Sequence, residues 1–408
     1  MKAGGNVCDG EAARGLRVGL YSDSEAYAGT EAHLVELDAA LRELGAQVWV
    51  ICPIPSPLAE QVCRRGGHAV ALQSKGWRAL GALWQLARWM RGGSIRILHA
   101  HNGWTALLAT LAASLCGRGT VVVSQHFIHP ARTGRRGLAG RLAGWVHAGV
   151  RRRVSAWVAV SEAVRRSMVE RGEADGRVEC VPNGIAACTA TPRPSESGLP
   201  EAMPLQREVR RVVCAARLAP EKDVSTLLNA LALLRREGLR FELKVLGDGP
   251  LRGALWRRVL ELQLQGEVEF LGHQPGVAAW IGEADLLVLP SPEEPFGLVL
   301  LEAMSLAKPV IAARGGGPQE IVLDGQTGLL FEPRDPRDLA MKLRVLLERP
   351  FLGEWMGACG WERWRHHYTR RKMAERMAAL YTRALSGKPS GAGGEGKRRE
   401  AAAPVGRD

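Results

Sequence analysis

The sequence predicts an α/β protein of two consecutive doubly wound units facing a cleft, each a parallel sheet flanked by helices. Three observations carry that expectation. Short β-branched runs alternate with longer amphipathic segments almost throughout, the pattern of repeated βαβ units. The alternation breaks once, over residues 185–208, where Pro192, Pro194, Pro200 and Pro204 sit among Ser, Thr and Gly. The chain has 408 residues, 46% of them apolar, which at roughly 100–200 residues per domain fills two cores.

The first series reads as strands at 16–22, 47–52, 68–72, 95–100, 120–125 and 156–160, with helices at 30–44, 76–91 and 103–116. The second reads as strands at 211–216, 241–246, 268–271, 286–289, 310–313 and 328–331. Its helices are predicted at 224–236, 251–264, 297–306 and 335–347, and a last helix, 361–385, has no strand after it. The expected division is a flexible N-terminus (1–15), a first domain (16–190), a linker (191–208), a second domain (209–360), a C-terminal helix (361–386) and a disordered tail (387–408).

This composition excludes a collagen, a coiled coil and a wholly disordered chain. The longest apolar stretch, 105–116, is too short to span a bilayer, and residues 1–10 lack the hydrophobic core of a signal peptide. A soluble or surface-bound cytoplasmic protein is therefore expected. The eight cysteines form no CxxC pair and have no histidine cluster in sequence beside them, so neither a zinc site nor a disulfide framework is expected.

Charge is unevenly spread. Between Glu60 and Glu162 there is no Asp or Glu, while 15 Lys and Arg residues fall there. The net charge of the chain is +13, so the remainder sums to −2. An anionic partner is implied: a membrane surface, a phosphate-bearing acceptor or nucleic acid. Seven arginines lie in 132–157, and an amphipathic helix over 137–150 is expected to lie against the membrane or the domain core.

The most informative segment is 284–304, ADLLVLPSPEEPFGLVLLEAM. A buried strand ends at Pro290, a loop carries Glu294, and a helix carrying Glu302 begins after Phe296 and Gly297. That arrangement puts the amides of Gly297, Leu298 and Val299 at the carboxyl edge of a sheet, where doubly wound domains bind phosphate. Taken singly, Glu294 is a solvated loop acid and Glu302 a helix-surface acid. Arg217 and Lys222 are close enough in sequence to converge on a phosphate from one loop.

The spacing of Glu294 and Glu302 around Phe296-Gly297, with Glu302-Ala303-Met304, resembles the signature of retaining GT-B glycosyltransferases of family 4. Further landmarks fall in the family's order: Arg217-Leu218-Ala219-Pro220-Glu221-Lys222, Gly247-Asp248-Gly249-Pro250, Phe270-Leu271-Gly272-His273, Gly315-Gly316-Gly317-Pro318-Gln319-Glu320-Ile321 and Asp324-Gly325-Gln326-Thr327-Gly328. In the first half, Gly29-Thr30-Glu31, His99-Ala100-His101, Ser124-Gln125-His126, Val160-Ser161-Glu162 and Val181-Pro182-Asn183-Gly184 do the same. Two positions depart from the pattern: Ala28 stands for a first loop glycine and Asp223 for the glycine after the Lys.

The resemblance implies a GT-B fold of two Rossmann-like domains with the C-terminal helix crossing back to the first. It implies a retaining hexosyltransferase-type reaction from a nucleoside-diphosphate sugar to a glycan or lipid-linked acceptor hydroxyl, in cell-envelope glycan or glycolipid synthesis. Arg217 and Lys222 would meet the diphosphate with Gly29, and Phe296 with the amides of Gly297, Leu298 and Val299 would complete the donor contacts. Glu302 would take the ribose hydroxyls, Glu294 the donor sugar, and His126 would face the transferred sugar; His101 reads as structural. No Asp-x-Asp motif appears, so no cofactor and no essential metal are expected. Two other readings stand beside this one. A sugar-nucleotide 2-epimerase shares the fold but needs further carboxylates near the anomeric carbon, and residues 61–161 supply none. A non-catalytic basic anion-binding protein explains the charge but not the ordered motifs, and no nucleic-acid motif is present.

Overall fold

The computed structural model describes residues 13–128, 149, 152–172, 178–189 and 209–387. The linker 191–208 and tail residues 388–408 lie outside them, as does all of the 137–150 helix but residue 149. In the first domain, strands β1 (Arg17–Tyr21), β2 (Gln47–Cys52), β3 (Ala69–Ala71), β4 (Ile97–Ala100), β5 (Thr120–Gln125), β6 (Ala156–Ala159) and β7 (Val178–Cys180) form one sheet. Its order is β3-β2-β1-β4-β5-β6-β7, and every pairing is parallel. Helices α1 (Gly29–Glu43), α2 (Pro57–Arg64), α3 (Arg78–Arg91), α4 (Gly103–Cys116) and α5 (Glu162–Glu170) make the crossovers.

The second domain repeats the plan. Strands β8 (Arg210–Ala215), β9 (Phe241–Leu246), β10 (Val268–Gly272), β11 (Leu286–Leu289), β12 (Val310–Ala313) and β13 (Leu329–Phe331) lie in the order β10-β9-β8-β11-β12-β13, again all parallel. Helices α6 (Val224–Arg236), α7 (Arg252–Glu261), α8 (Val277–Glu283), α9 (Leu298–Ser305), α10 (Pro318–Ile321) and α11 (Pro336–Glu348) flank it. Central strands such as β11 (LLVL) and β12 (VIAA) are buried on both faces, as parallel strands between helix layers must be.

Strand order reverses between β1 and β4 in the first sheet and between β8 and β11 in the second. Ligands of open α/β sheets bind beyond the carboxyl ends of the strands at such reversals. An apolar cluster joins the domains behind that edge: Val160, Val164, Met168 and Ile185 pack with Phe296, Leu300, Leu301 and Tyr368.

Two expectations are corrected at the chain's extremities. Residues 13–15 of the supposed flexible start are folded: Ala13 is buried and donates its N–H to Leu44 O at 3.2 Å. The single helix 361–385 is two, α12 (Pro350–His367) and α13 (Arg370–Leu385), so a second domain ending at 360 cuts α12. Nothing at the break has the look of a breaker. The second start is made by Thr369, whose hydroxyl accepts from Lys372 N. Helix α12 packs on α9 of the second domain. Helix α13 returns to the first, burying Met373, Met377 and Tyr381 with Leu34 and Leu37 of α1, and the Tyr381 hydroxyl lies 2.6 Å from His99 Nδ1.

Candidate functional site

The site is built from the carboxyl ends of the switch-point strands. After β11, the loop 290–297 carries Glu294 and ends at Gly297, whose φ of +98° makes it a natural glycine at the start of α9. The first-turn amides of Leu298 and Val299 have no intrahelical acceptor and sit at the positive end of the helix dipole. The glycine run fixes this loop from behind. Gly317 N donates to Glu294 O at 2.8 Å, and a Cβ on Gly316 would lie 2.0 Å from the same oxygen, so only glycine fits there. Phe296, expected among the donor contacts, is corrected: its ring is 5% exposed and packs edge-on against Tyr368, anchoring the loop from the core side.

After β8, a 3-10 turn (Pro220–Lys222) brings Lys222 Nζ to 2.7 Å from Glu294 Oε2, with both side chains largely out of water. Arg217 does not converge with it. Its exposed guanidinium pairs with Glu221, the carboxylate four residues on. The departure at Asp223 has a backbone explanation: φ is +46°, a region glycine enters freely and Asp tolerates, and its carboxylate accepts from Thr226 Oγ1 at 2.7 Å. Ala28 is equally harmless. Its backbone is extended, at φ −143°, and its N–H donates to Glu31 Oε2 at 3.0 Å.

From the first domain, Gly29 opens α1 directly opposite α9; a Cβ on it would be 3.9 Å from Leu298 Cδ1. Two helix N-termini therefore meet across the cleft, which favours an anionic group between them. Glu302, on α9, faces Glu36 of α1. Burial first and the Glu36 charge second push its carboxyl up to about 7.

His126 at the end of β5 and His101 at the end of β4 stand together, His101 Nδ1 3.1 Å from His126 Nε2. His33 of α1 joins them, and one ligand atom from each of the three lies within 4.8 Å of the others. Burial holds all three imidazoles neutral: His33 is pushed down to about 4, and His101 and His126 fall well below the ordinary value. Neutral imidazoles at this separation have the chemistry to hold a transition-metal ion. His33 and Glu36 escaped the sequence reading, although Gly29, His33 and Glu36 at i, i+4 and i+7 mark one face of α1.

Two side chains tie the domains together beside the site. Ser161 Oγ donates to Pro295 O at 2.7 Å and caps α5 through Val164 N. The Glu320 carboxylate accepts from Glu162 N and Ala163 N at 2.8 and 2.9 Å, capping the same helix from the opposite domain. A separate depression lined by Glu242, Lys244, Trp256 and Phe270 opens at the outer β9–β10 edge and contains none of these residues.

Comparison with known proteins agrees with this architecture. The family model described as Glycosyltransferase Family 4 matches residues 27–187, and that described as Glycosyl transferases group 1 matches 209–349, one on each domain. The chain belongs to this family of GT-B glycosyltransferases. It is 37% identical over 145 residues to an uncharacterized glycosyltransferase of Methanocaldococcus jannaschii, covering 35% of this chain and 40% of that protein. It is 27% identical over 370 residues to the phosphatidyl-myo-inositol mannosyltransferase of Mycobacterium leprae, covering 88% of this chain and 94% of that one. The crystal structure of Anabaena HepE in complex with UDP and glucose superposes with a TM-score of 0.75 at 18% identity, over 90% of this chain and 99% of that chain. At that identity the likeness establishes the fold. The chain spans between 40% and 62% of the length of the first curated relatives it matches.

Proposed function

We propose that the protein is a retaining glycosyltransferase that moves a sugar from a nucleoside-diphosphate sugar to an acceptor hydroxyl of a glycan or lipid-linked molecule in cell-envelope synthesis. The observation that carries this reading is the Lys222–Glu294 pair at 2.7 Å beside two opposed helix starts. A cation and free amides suit a diphosphate, and a carboxylate next to them suits sugar hydroxyls. The Anabaena neighbour, solved in complex with UDP and glucose, supports a nucleotide-sugar donor, and the mycobacterial phosphatidyl-myo-inositol mannosyltransferase supports a lipid acceptor. In the reaction, the bond from the anomeric carbon to the outer phosphate oxygen breaks and the acceptor oxygen bonds to that carbon on the same face. The acceptor proton passes to the departing phosphate. Lys222 and the Leu298 and Val299 amides offset the charge that gathers there, Arg217 joins them only by leaving Glu221, and His126 lines the sugar side. A donor screen by nucleoside-diphosphate release tests the reading; no release with any UDP-, GDP- or ADP-sugar in the presence of candidate acceptors would overturn it. The protein works in the cytoplasm, at the inner membrane surface. Among the described residues no helix is long and apolar enough to cross a membrane.

Activity is expected to persist in excess EDTA, because the cation and helix-start amides supply the positive charge a metal would otherwise bring. Complete loss of turnover, restored by Mg²⁺, would contradict this.

Glu302 makes the donor affinity pH-dependent. Its carboxyl takes up a proton as pH falls through about 7. Ribose hydroxyls donate better to the ionised form, so donor binding expels that proton. Titration calorimetry at pH 7 in buffers of different ionisation enthalpy is expected to show proton release, with affinity rising several-fold from pH 6 to 8. Buffer-independent heats would remove Glu302 from the ribose contact.

A further inference from the structure

Helices α3 and α4 lie side by side on one face of the first sheet and bury their inner residues in a common cluster that includes Leu86, Met90, Leu108 and Ala112. They run in the same direction. Trp104 Nε1 at the start of α4 donates to Ser74 O just before α3, and Arg91 at the end of α3 donates to Leu115 O at the end of α4. Their outer faces are unusually apolar. Trp77, Leu80 and Trp84 are 83%, 77% and 66% exposed, at the i, i+3 and i+7 spacing of a single helical stripe. Trp104, Leu111 and Leu115 form a second exposed stripe alongside. Soluble surfaces seldom carry large apolar side chains in such a row.

The cations on this face are placed among the rings. Arg78 lies over Trp77 at 5.6 Å and Arg88 over Trp84 at 5.7 Å. Arg91 and Arg118 are exposed at the far end. Lys75 is neutralised by Glu25 of the loop after β1, but neither helix contains an acid. Another exposed aromatic pair, Phe351 and Trp355 on α12, differs in having Glu354 between its two rings. Tryptophan prefers the headgroup level of a bilayer, and an apolar stripe edged with arginine is the composition of a helix lying in that plane. Arginines near the surface add attraction to anionic lipid.

We propose that the α3–α4 face docks the protein on an anionic lipid bilayer. The Trp77 and Trp104 ends of both helices lie at the carboxyl edge of the sheet, the edge that carries His101, so docking sets the rim of the cleft at the lipid surface. The inference deepens the lipid-linked acceptor reading, but the docking is measured without donor or acceptor.

The test is co-sedimentation of the full chain with vesicles of phosphatidylglycerol and phosphatidylcholine in equal parts, against phosphatidylcholine alone, at low and high salt. Binding to the anionic vesicles at low salt, weakened by salt, is expected. The triple variant W77S/L80S/W84S is expected to bind at least tenfold more weakly with an unchanged melting temperature, since all three side chains face solvent. R78Q/R88Q is expected to lose the preference for the anionic vesicles. Unchanged binding of the triple variant, or no binding of the wild type at low salt, overturns the proposal. So does binding that is abolished by replacing Arg135, Arg136 and Arg141 with Gln but survives the triple change. A wild type that is dimeric and a triple variant that is monomeric would show that a second copy, not lipid, covers the face. Lys222→Ala is expected to bind vesicles like the wild type. If that variant also keeps its transferase activity, the site assignment falls and the docking stands.

Discussion

Glu294→Gln is expected to lower kcat/KM for transfer by 10²–10³-fold while leaving nucleoside-diphosphate affinity unchanged or tighter. The magnitude is that of removing one well-placed charge-assisted contact from a transition state, about 2.7–4 kcal/mol. The second half follows from the pair at 2.7 Å. The Glu294 carboxylate occupies Lys222, and neutralising it frees the ammonium for phosphate. Lys222→Ala is expected to cost a similar factor in turnover and to weaken diphosphate binding as well. The divergent effect on nucleotide affinity separates the two roles, and calorimetry with the diphosphate alone reads it. A folded Glu294→Gln protein with near-normal turnover would remove this carboxylate from the site.

His33→Leu is expected to leave stability at pH 7.5 unchanged or raised and to blunt acid denaturation. Both ring nitrogens of His33 are buried without a partner, so an apolar replacement of similar size loses no hydrogen bond. In the unfolded chain a histidine takes up its proton near 6.5, whereas the folded protein holds His33 neutral down to about 4. Below 6.5 the unfolded state therefore binds more protons, and stability falls with pH until the folded value is reached. That interval of about 2.5 pH units corresponds to about 3 kcal/mol. Glu302 acts in the opposite sense: its raised value gives stability that is lost as pH rises toward 7. The readout is therefore the difference between wild type and variant in urea unfolding at pH 7.5 and 4.5. Parallel pH dependences would show that His33 does not resist protonation in the fold.

The parts of this molecule legible in its sequence are those whose signal is local. The buried strands β5 and β11 stand at the predicted residues because a parallel strand between helix layers must be a short apolar run. Lys222, Glu294 and Gly297 were recoverable because strand, loop and helix start carry their geometry in consecutive residues. What escaped depends on partners remote in sequence. Glu320 caps a helix of the other domain, 158 residues away from Glu162. Arg217 was expected beside Lys222, but Glu221 lies nearer and takes it. The split between α12 and α13 has no glycine or proline to announce it, because the turn is imposed by the two surfaces the helices cover.

Helix α13 bears on how the protein is made. The hydrogen-bonded contact between His99 and Tyr381 spans 282 residues. Met373, Met377 and Tyr381 belong to the same core as the first strand. The first of the two domains to be made thus lacks part of its own interior until α13 has been synthesised, and throughout that interval the face of α1 that α13 covers is bare. At about 5–20 residues per second, translating the stretch between them takes some tens of seconds. Over that time the nascent first domain presents an apolar surface, and its core closes only when α13 docks on α1.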